Sequence, residues 1–183
     1  MRHLRYGVAM SLDGFIACTD GSSEWIVEDK SIDFDKIFAS FDAFIMGRKT
    51  YETMLALGDG NQLASQPKEA VVVVSRQMKK EDHPEITVIS KDYLDYIQTM
   101  KLSNGKDIWL MGGGEIAGQC LEAGLVDHLD VAVIPVILGT GIKLFAMEAM
   151  NDTNKSWKLE IESVENLAQS GILMTKYKVS KQS

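Results

Sequence analysis

The sequence predicts an α/β protein built on a mostly parallel central sheet, flanked by helices and closed by a C-terminal antiparallel hairpin. Three observations predict it. Short apolar runs (Leu4 to Met10, Ala43 to Met46, Ala70 to Val74, Ile108 to Met111) alternate with stretches whose apolar residues recur at helical spacing. Val71 to Val74 are consecutive β-branched residues, the pattern of a strand buried on both faces. Trp157 to Val164 and Ile172 to Val179 instead alternate apolar and polar residues, which reads as a hairpin with one face on the core. Strands interleaved with helices bring their carboxyl ends to one edge, and ligands bind at that edge in such sheets.

Taken in order, Leu4 to Met10 forms the first strand. Ser11-Leu12-Asp13-Gly14 punctuates it, and Phe15-Ile16-Ala17 resumes an extended run. Thr19 to Ser23 is a turn or loop. Either Asp29 or Ser31 caps a helix that carries Phe34, Ile37, Phe38 and Phe41 at helical spacing, and these residues read as core. The strand Ala43 to Met46 feeds Gly47-Arg48-Lys49-Thr50 and a helix through Tyr51 to Leu55. Gly58 to Pro67 is a polar, glycine-containing loop. The strand Ala70 to Val74 ends in Ser75-Arg76. Ile86 to Ile89 is a further short strand, and Leu94, Ile97 and Met100 mark a helix ahead of Asn104-Gly105. Ile108 to Met111 runs into Gly112-Gly113-Gly114 and a helix to about Ala123. His128 to Ile134 is the next strand, Pro135 to Gly141 a loop, and Asn166 to Gly171 joins the two strands of the hairpin. No repeat, low-complexity tract or long linker divides the chain, so residues 1–183 read as one domain with a sizeable core.

Composition narrows the function classes. The net charge is −7 and the pI about 5.0, with no basic face of the kind a nucleic-acid binder shows. Lys79-Lys80 reads as solvated surface. Cys18 and Cys120 form neither a CxxC pair nor a metal-ligand spacing; they read as small buried hydrophobes, and no metal site is expected. The apolar run after Arg5 is cut by Asp13, unlike a signal peptide, and no run approaches the ~18 apolar residues of a membrane helix. The expectation is a soluble, reduced, cytoplasmic protein without nucleic-acid or membrane partners.

The chemistry gathers at three strand ends. Around Gly112-Gly113-Gly114 the backbone turns without Cβ atoms, so a ligand can press against it, and the helix that follows opens with unpaired N–H groups suited to a pyrophosphate. Arg48 and Lys49 bring positive charge to a helix start, with the Thr50 hydroxyl beside them. Ser75 and Arg76 place a donor and a guanidinium at the end of a neighbouring strand. A planar guanidinium suits a phosphate monoester such as the adenosine 2′-phosphate of NADPH. Gly112, Gly114 and Ala117 also fit the G-x-G-x-x-G/A pattern. A standard Rossmann unit, however, places an acid at the end of the next strand, and here that end is Ile134-Pro135.

These motifs together carry a family resemblance. Ser11-Leu12-Asp13-Gly14-Phe15-Ile16-Ala17, Met46-Gly47-Arg48-Lys49-Thr50-Tyr51-Glu52, Gly112-Gly113-Gly114-Glu115 and Leu138-Gly139-Thr140-Gly141-Ile142-Lys143-Leu144-Phe145 occur in family order across nearly the whole chain. The sequence resembles the dihydrofolate reductase-like superfamily, in the branch of the C-terminal reductase domain of the bacterial riboflavin-biosynthesis deaminase/reductase and its stand-alone relatives. The resemblance implies a dihydrofolate reductase-like fold and an NADPH-dependent reductase. By it, Gly47, Arg48, Lys49 and Thr50 hold cofactor phosphates, Ser75 and Arg76 read the 2′-phosphate, and Gly113, Gly114, Glu115 and Ile116 lie under the pyrophosphate. Ala9 and Ile16 would flank the nicotinamide, and Asp13 would stand at the mouth of the substrate pocket. A homodimer is likewise implied.

The expected reaction is hydride transfer from NADPH to a C=N or C=O carbon of a small, pyrimidine- or pterin-like heterocycle, as in 5-amino-6-(5-phosphoribosylamino)uracil reduction. Asp13, Asp33 or an ordered water would deliver the proton. Dihydrofolate reductases carry an acid on the helix before the Met-Gly-Arg strand; Asp29, Asp33 and Asp35 lie near that place, each equally readable as a helix cap or solvated acid. Asp33 sits one turn before Ile37. Trp25 and Tyr51 are candidate pocket walls. Two alternatives stand beside this reading: a divergent dihydrofolate reductase, and a nucleotide-binding module without turnover.

Overall fold

The computed structural model describes residues 1–146 and 155–180. Its strands are β1 (Leu4–Ser11), β2 (Phe15–Ala17), β3 (Phe41–Gly47), β4 (Val71–Val74), β5 (Thr87–Ile89), β6 (Asp107–Gly112), β7 (His128–Ile134), β8 (Ile142–Lys143), β9 (Leu159–Leu167) and β10 (Ile172–Val179). The helices are α1 (Phe34–Phe38), α2 (Arg48–Ala56), α3 (Tyr93–Leu102) and α4 (Gly114–Glu122). Eight strands form one sheet in the order β5-β4-β3-β6-β1-β7-β10-β9. The strands from β5 to β7 run parallel, and β10 and β9 add antiparallel at the far edge. This is the predicted fold class. β2 and β8 pair separately as a two-stranded ribbon, so the extended run after Gly14 leaves the main sheet, and β8 lies within what reads as loop.

The sheet is apolar on both faces at its centre. Leu4, Tyr6, Ala43, Ile45, Ile108 and Leu110 are packed with Ile97 of α3 and with Ile116, Ala117, Cys120 and Leu121 of α4. On the other face Phe44, Met46, Val71 and Val73 join Tyr51 of α2 in a second cluster, against which Phe38 and Trp109 pack. Both valine-run faces are therefore buried, as the β-branched pattern requires.

The structure corrects three expectations. α1 is only five residues long, and its cap is Asp33, whose side chain accepts from the Lys36 N–H; neither Asp29 nor Ser31 caps it. Phe41, placed at helical spacing, begins β3, and Phe34 is 53% exposed, so only part of that aromatic set is core. The hairpin forms, but β9 does not lie on the core: eight of its nine residues are exposed, including Ile161 at 62%.

Buried charges are paired at the amino ends of the strands. Lys101 Nζ lies 2.6 Å from Asp127 Oδ2 and donates to the Leu125 carbonyl. Arg2 pairs with Asp42 and donates to the Lys106 carbonyl at 2.6 Å. These pairs lie at the end of the sheet away from the glycine turn. No helix among the described residues is long and apolar enough to cross a membrane.

Candidate functional site

β3 and β6 are neighbours, with Met46 paired to Gly112, so α2 and α4 start side by side at the carboxyl edge of the sheet. Both helices are nine residues long, both have glycine at the N-cap (Gly47 and Gly113), and neither N-terminus receives a side-chain hydrogen bond. The first N–H groups of a helix have no intrahelical partner, and the helix dipole adds positive charge there. Two such ends side by side offer the kind of unpaired N–H groups that suit an anion.

The three glycines of the turn divide the work. Gly112 has φ +121°, a conformation that side chains rarely adopt. A Cβ on Gly113 would meet nothing within 4 Å, so this is the open side of the turn. A Cβ on Gly114 would overlap the Lys143 carbonyl oxygen; the Gly114 carbonyl in turn accepts from the Ala146 N–H at 3.0 Å. Gly114 is thus a packing glycine, and Gly113 is the one that leaves room for a ligand. Glu115 is exposed, whereas the Ile116 side chain is buried against Gly47, leaving its backbone N–H as the group available at the helix start.

The cations stand along the same edge. Lys49 and Arg76 are exposed with no side-chain partner among the described residues. Arg48 Nη1 donates to Glu52 Oε1 at 2.6 Å, so part of its fork is engaged one turn along α2. Thr50 is half-buried beside Gly112. Ser75 is buried; its hydroxyl oxygen accepts from the Gln77 and Met78 N–H groups at 3.1 Å each and shapes the turn that presents Arg76. Ala9, half-buried and paired with Ala132, and Ile16 in β2 lie on the other side of β6 from these cations.

Both candidate carboxylates are hydrogen-bonded. Asp13 accepts from the Ser11 hydroxyl at 2.7 Å, the Gly139 N–H at 2.7 Å and the Leu138 N–H at 3.1 Å. The Ser11 bond, with the two backbone donors, holds its pKa below the ordinary carboxylate value. Asp33 is exposed and accepts the α1 cap bond at 2.9 Å. The neighbouring acids are also engaged. Asp29 accepts from Ser31 and, at 2.6 Å, from the hydroxyl of Ser170 in the β9–β10 turn, and Asp35 accepts from Gln62. Tyr51 is a core residue: burial and its bond to Glu85 push its hydroxyl up to about 12. Trp25 is half-buried, and its indole N–H is covered and without a partner among the described residues.

Cys120 is buried and burial pushes its thiol up to about 12, so it is inert; Cys18 is half-buried. Among the described residues no group of His, Cys, Asp or Glu has the arrangement of a metal site. The sequence names Ser11 without its role, a local turn in which its buried hydroxyl ties Asp13 to the Phe15 N–H; the Asp29–Ser170 bond leaves no mark in the sequence, because its partners meet only once the chain is folded.

The fold is an α/β protein with a mostly parallel sheet, two glycine-capped helix starts and a row of cations at the carboxyl edge of that sheet. The chain belongs to the RibD C-terminal domain family, whose model matches residues 2–173. It is 30% identical over 166 residues to YwjB of Bacillus subtilis (strain 168), an alignment covering 89% of this chain and 91% of that one. It is 27% identical over 189 residues to the riboflavin biosynthesis protein RibD of Mycobacterium tuberculosis (strain ATCC 25618 / H37Rv), covering 93% of this chain and 53% of RibD. The chain therefore spans about half the length of that relative. The fold is shared with the diaminohydroxyphosphoribosylaminopyrimidine deaminase/5-amino-6-(5-phosphoribosylamino)uracil reductase of Thermotoga maritima. That match has a TM-score of 0.68 and 17% identity, and it covers 98% of this chain and 57% of that one.

Proposed function

We propose that the protein is an NADPH-dependent reductase of a small heterocycle of the aminopyrimidine type. The observation that carries this reading is the pair of uncapped, glycine-started helices at adjacent strand ends, open above Gly113 and flanked by Lys49 and Arg76, which have no side-chain partner among the described residues. The cradle fits a pyrophosphate, and the cations beyond it fit a further phosphate. Bound there, NADPH would supply the hydride for a C=N or C=O carbon.

The chain's own residues bind, orient and exclude water. Gly113 to Ile116 offer backbone N–H groups to the pyrophosphate, and Arg48, Lys49 and Thr50 add donors from α2. Arg76, presented by the Ser75 turn, reads the 2′-phosphate. Ala9 and Ile16 form the apolar wall for the nicotinamide. Asp13 is a positioning residue in this reading: its ionised carboxylate ties the β1–β2 turn to residues 138–139 at the pocket mouth. Asp33 holds the start of α1. A carboxylate held below its ordinary pKa is a poor proton donor near neutral pH, so the proton comes from water. Because Asp29, Asp33 and Asp35 are all engaged in hydrogen bonds within the chain, a pyrimidine is favoured over a pterin fixed by a helix acid.

The family relationship to RibD supports the same substrate class. The reading also includes cytoplasmic location and a homodimer. A second copy would pack on the hairpin beyond the edge of the core, where Leu159, Ile161, Val164 and Leu173 are 43%, 62%, 54% and 40% exposed. The register places these apolar side chains together on one face, without a charged neighbour among them, which suits two copies that each carry −7.

Fluorescence titration with NADPH and NADH tests the cofactor, using Trp109, which packs on Phe38 and Phe41. Tight NADPH and weak NADH binding are expected. NADPH oxidation is then followed with aminopyrimidines and with dihydrofolate. Turnover of dihydrofolate alone would replace the proposed substrate, and NADPH binding without turnover of any candidate would favour a binding module.

A further inference from the structure

The opposite end of the sheet holds a cavity that the cofactor reading does not use. Its volume is about 500 Å³, and it lies where the end of α1, the turn 62–67 and the residue before β6 meet at the start of β3. Phe38 and Phe41 form an aromatic wall, backed by Trp109 at ring-centroid distances of 4.9 and 5.1 Å. The ionisable groups are Asp35, Asp42 and Lys106, two carboxylates against one ammonium. Asp42 is neutralised: Arg2 pairs with it, and the Lys106 N–H donates to it at 2.9 Å. Lys106 Nζ is turned to the Ala39 carbonyl at 2.7 Å. Asp35 has no cationic partner among the described residues; one of its oxygens accepts from Gln62 Nε2 at 2.7 Å. The other atom of that amide, Gln62 Oε1, is covered and has no hydrogen-bond partner among the described residues. A covered acceptor left without a donor is destabilising.

We propose that this cavity is a second ligand site, for a planar aromatic cation that presents N–H donors along one edge, the amidinium class. The aromatic wall takes the ring, and a cation beside such ring faces gains from their negative charge. The unpaired charge of Asp35 takes the amidinium, and Gln62 Oε1 takes a further N–H. The terminal torsion of a glutamine is soft, so a small turn of the amide brings Oε1 to the ligand while Nε2 stays with Asp35. An anion is rejected, because it would meet Asp35 and a chain whose net charge is −7. The residues that build the site lie at or before the starts of β3, β4 and β6. Arg48, Lys49, Arg76 and the glycine turn stand at the far ends of those same strands. The length of the sheet therefore separates the two sites, and both can be filled at once.

Calorimetric titration of the full chain with benzamidine, benzamide and benzoate tests the site, since the three share a ring and differ in the edge they present. Benzamidine is expected to bind one to one, benzamide about tenfold or more weaker, and benzoate without measurable heat. Asp35→Asn keeps the shape of the side chain and its bond to Gln62, and is expected to lose about tenfold or more of the benzamidine affinity at unchanged Tm. Gln62→Met removes the orphan acceptor and is expected to lose about threefold to tenfold. The wild-type affinity is expected to be the same with saturating NADPH present. No binding at millimolar benzamidine, equal binding of benzoate, or displacement of benzamidine by NADPH would overturn the proposal. So would an Asp35→Asn variant that folds and binds benzamidine as the wild type does.

Discussion

At the scale of single residues, Gly113 and Gly114 are neighbours with opposite tasks, and substitution separates them. A Gly114→Ala chain must move the Lys143 carbonyl, and overpacking of this kind costs about 1–3 kcal/mol. Thermal denaturation is expected to show a clear drop in Tm. Gly113→Val has room for its Cβ and is expected to keep its Tm while losing NADPH binding, because the branched side chain fills the ligand's approach. Arg76→Ala is expected to weaken NADPH by about 1.5–3 kcal/mol and to leave NADH unchanged, read by the same fluorescence titration. Asp13 makes a pH-dependent contribution. Its folded pKa lies below the unfolded carboxylate value of about 3.9, so its stabilisation is present above that pH and is lost as the pH falls through the folded value. Asp13→Asn is therefore expected to lower stability at neutral pH and to flatten the acid limb of the Tm profile below pH ~5.

At the scale of elements, the sequence patterns located the strands well because each pattern answers to local physics. The valine run of β4 and the helical spacing in α3 are set by what each face touches, and the structure reproduces both. The glycine turn was legible as a strand-to-helix connection, since Gly at φ > 0 and an uncapped helix start leave a mark in residue type. The errors fall where distant segments decide. Alternation in β9 predicts a core face, but it only says that one face is apolar, not that the core covers it. Helical spacing across Phe34 to Phe41 ran two elements together, because Phe41 is claimed by pairing with Asp107 in β6. In the same way the sequence names the carboxylates Asp13 and Asp29 without their roles, which depend on Gly139 and Ser170 as partners. α3 is joined to the chain ahead of β7 by the buried Lys101–Asp127 pair. Lys101→Ala leaves Asp127 without its cation and is expected to destabilise the fold by about 3–5 kcal/mol, read as a lower denaturant midpoint at unchanged slope.

At the scale of the whole molecule, the exposed hairpin face makes a prediction about assembly. Ile161→Lys is expected to convert a dimer to a monomer in sedimentation, without loss of Tm beyond that of dissociation, since the side chain is 62% exposed. A wild type that sediments as a monomer at tens of micromolar would remove the hairpin from that role. The strand order carries a different consequence, one about how the chain is made. β1 is made before every strand it pairs with, yet it ends up inside the sheet, between β6 and β7. Its pairing starts from Leu4 with Ile108 and ends with Ser11 against Ile134, so its partners are synthesised more than a hundred residues later. Until then a strand whose Leu4 and Tyr6 are fully buried in the finished protein has nothing to pair with. Closure of the sheet is therefore a late event in synthesis, and a nascent chain stalled before β7 exposes an unpaired apolar strand of the kind that chaperones bind.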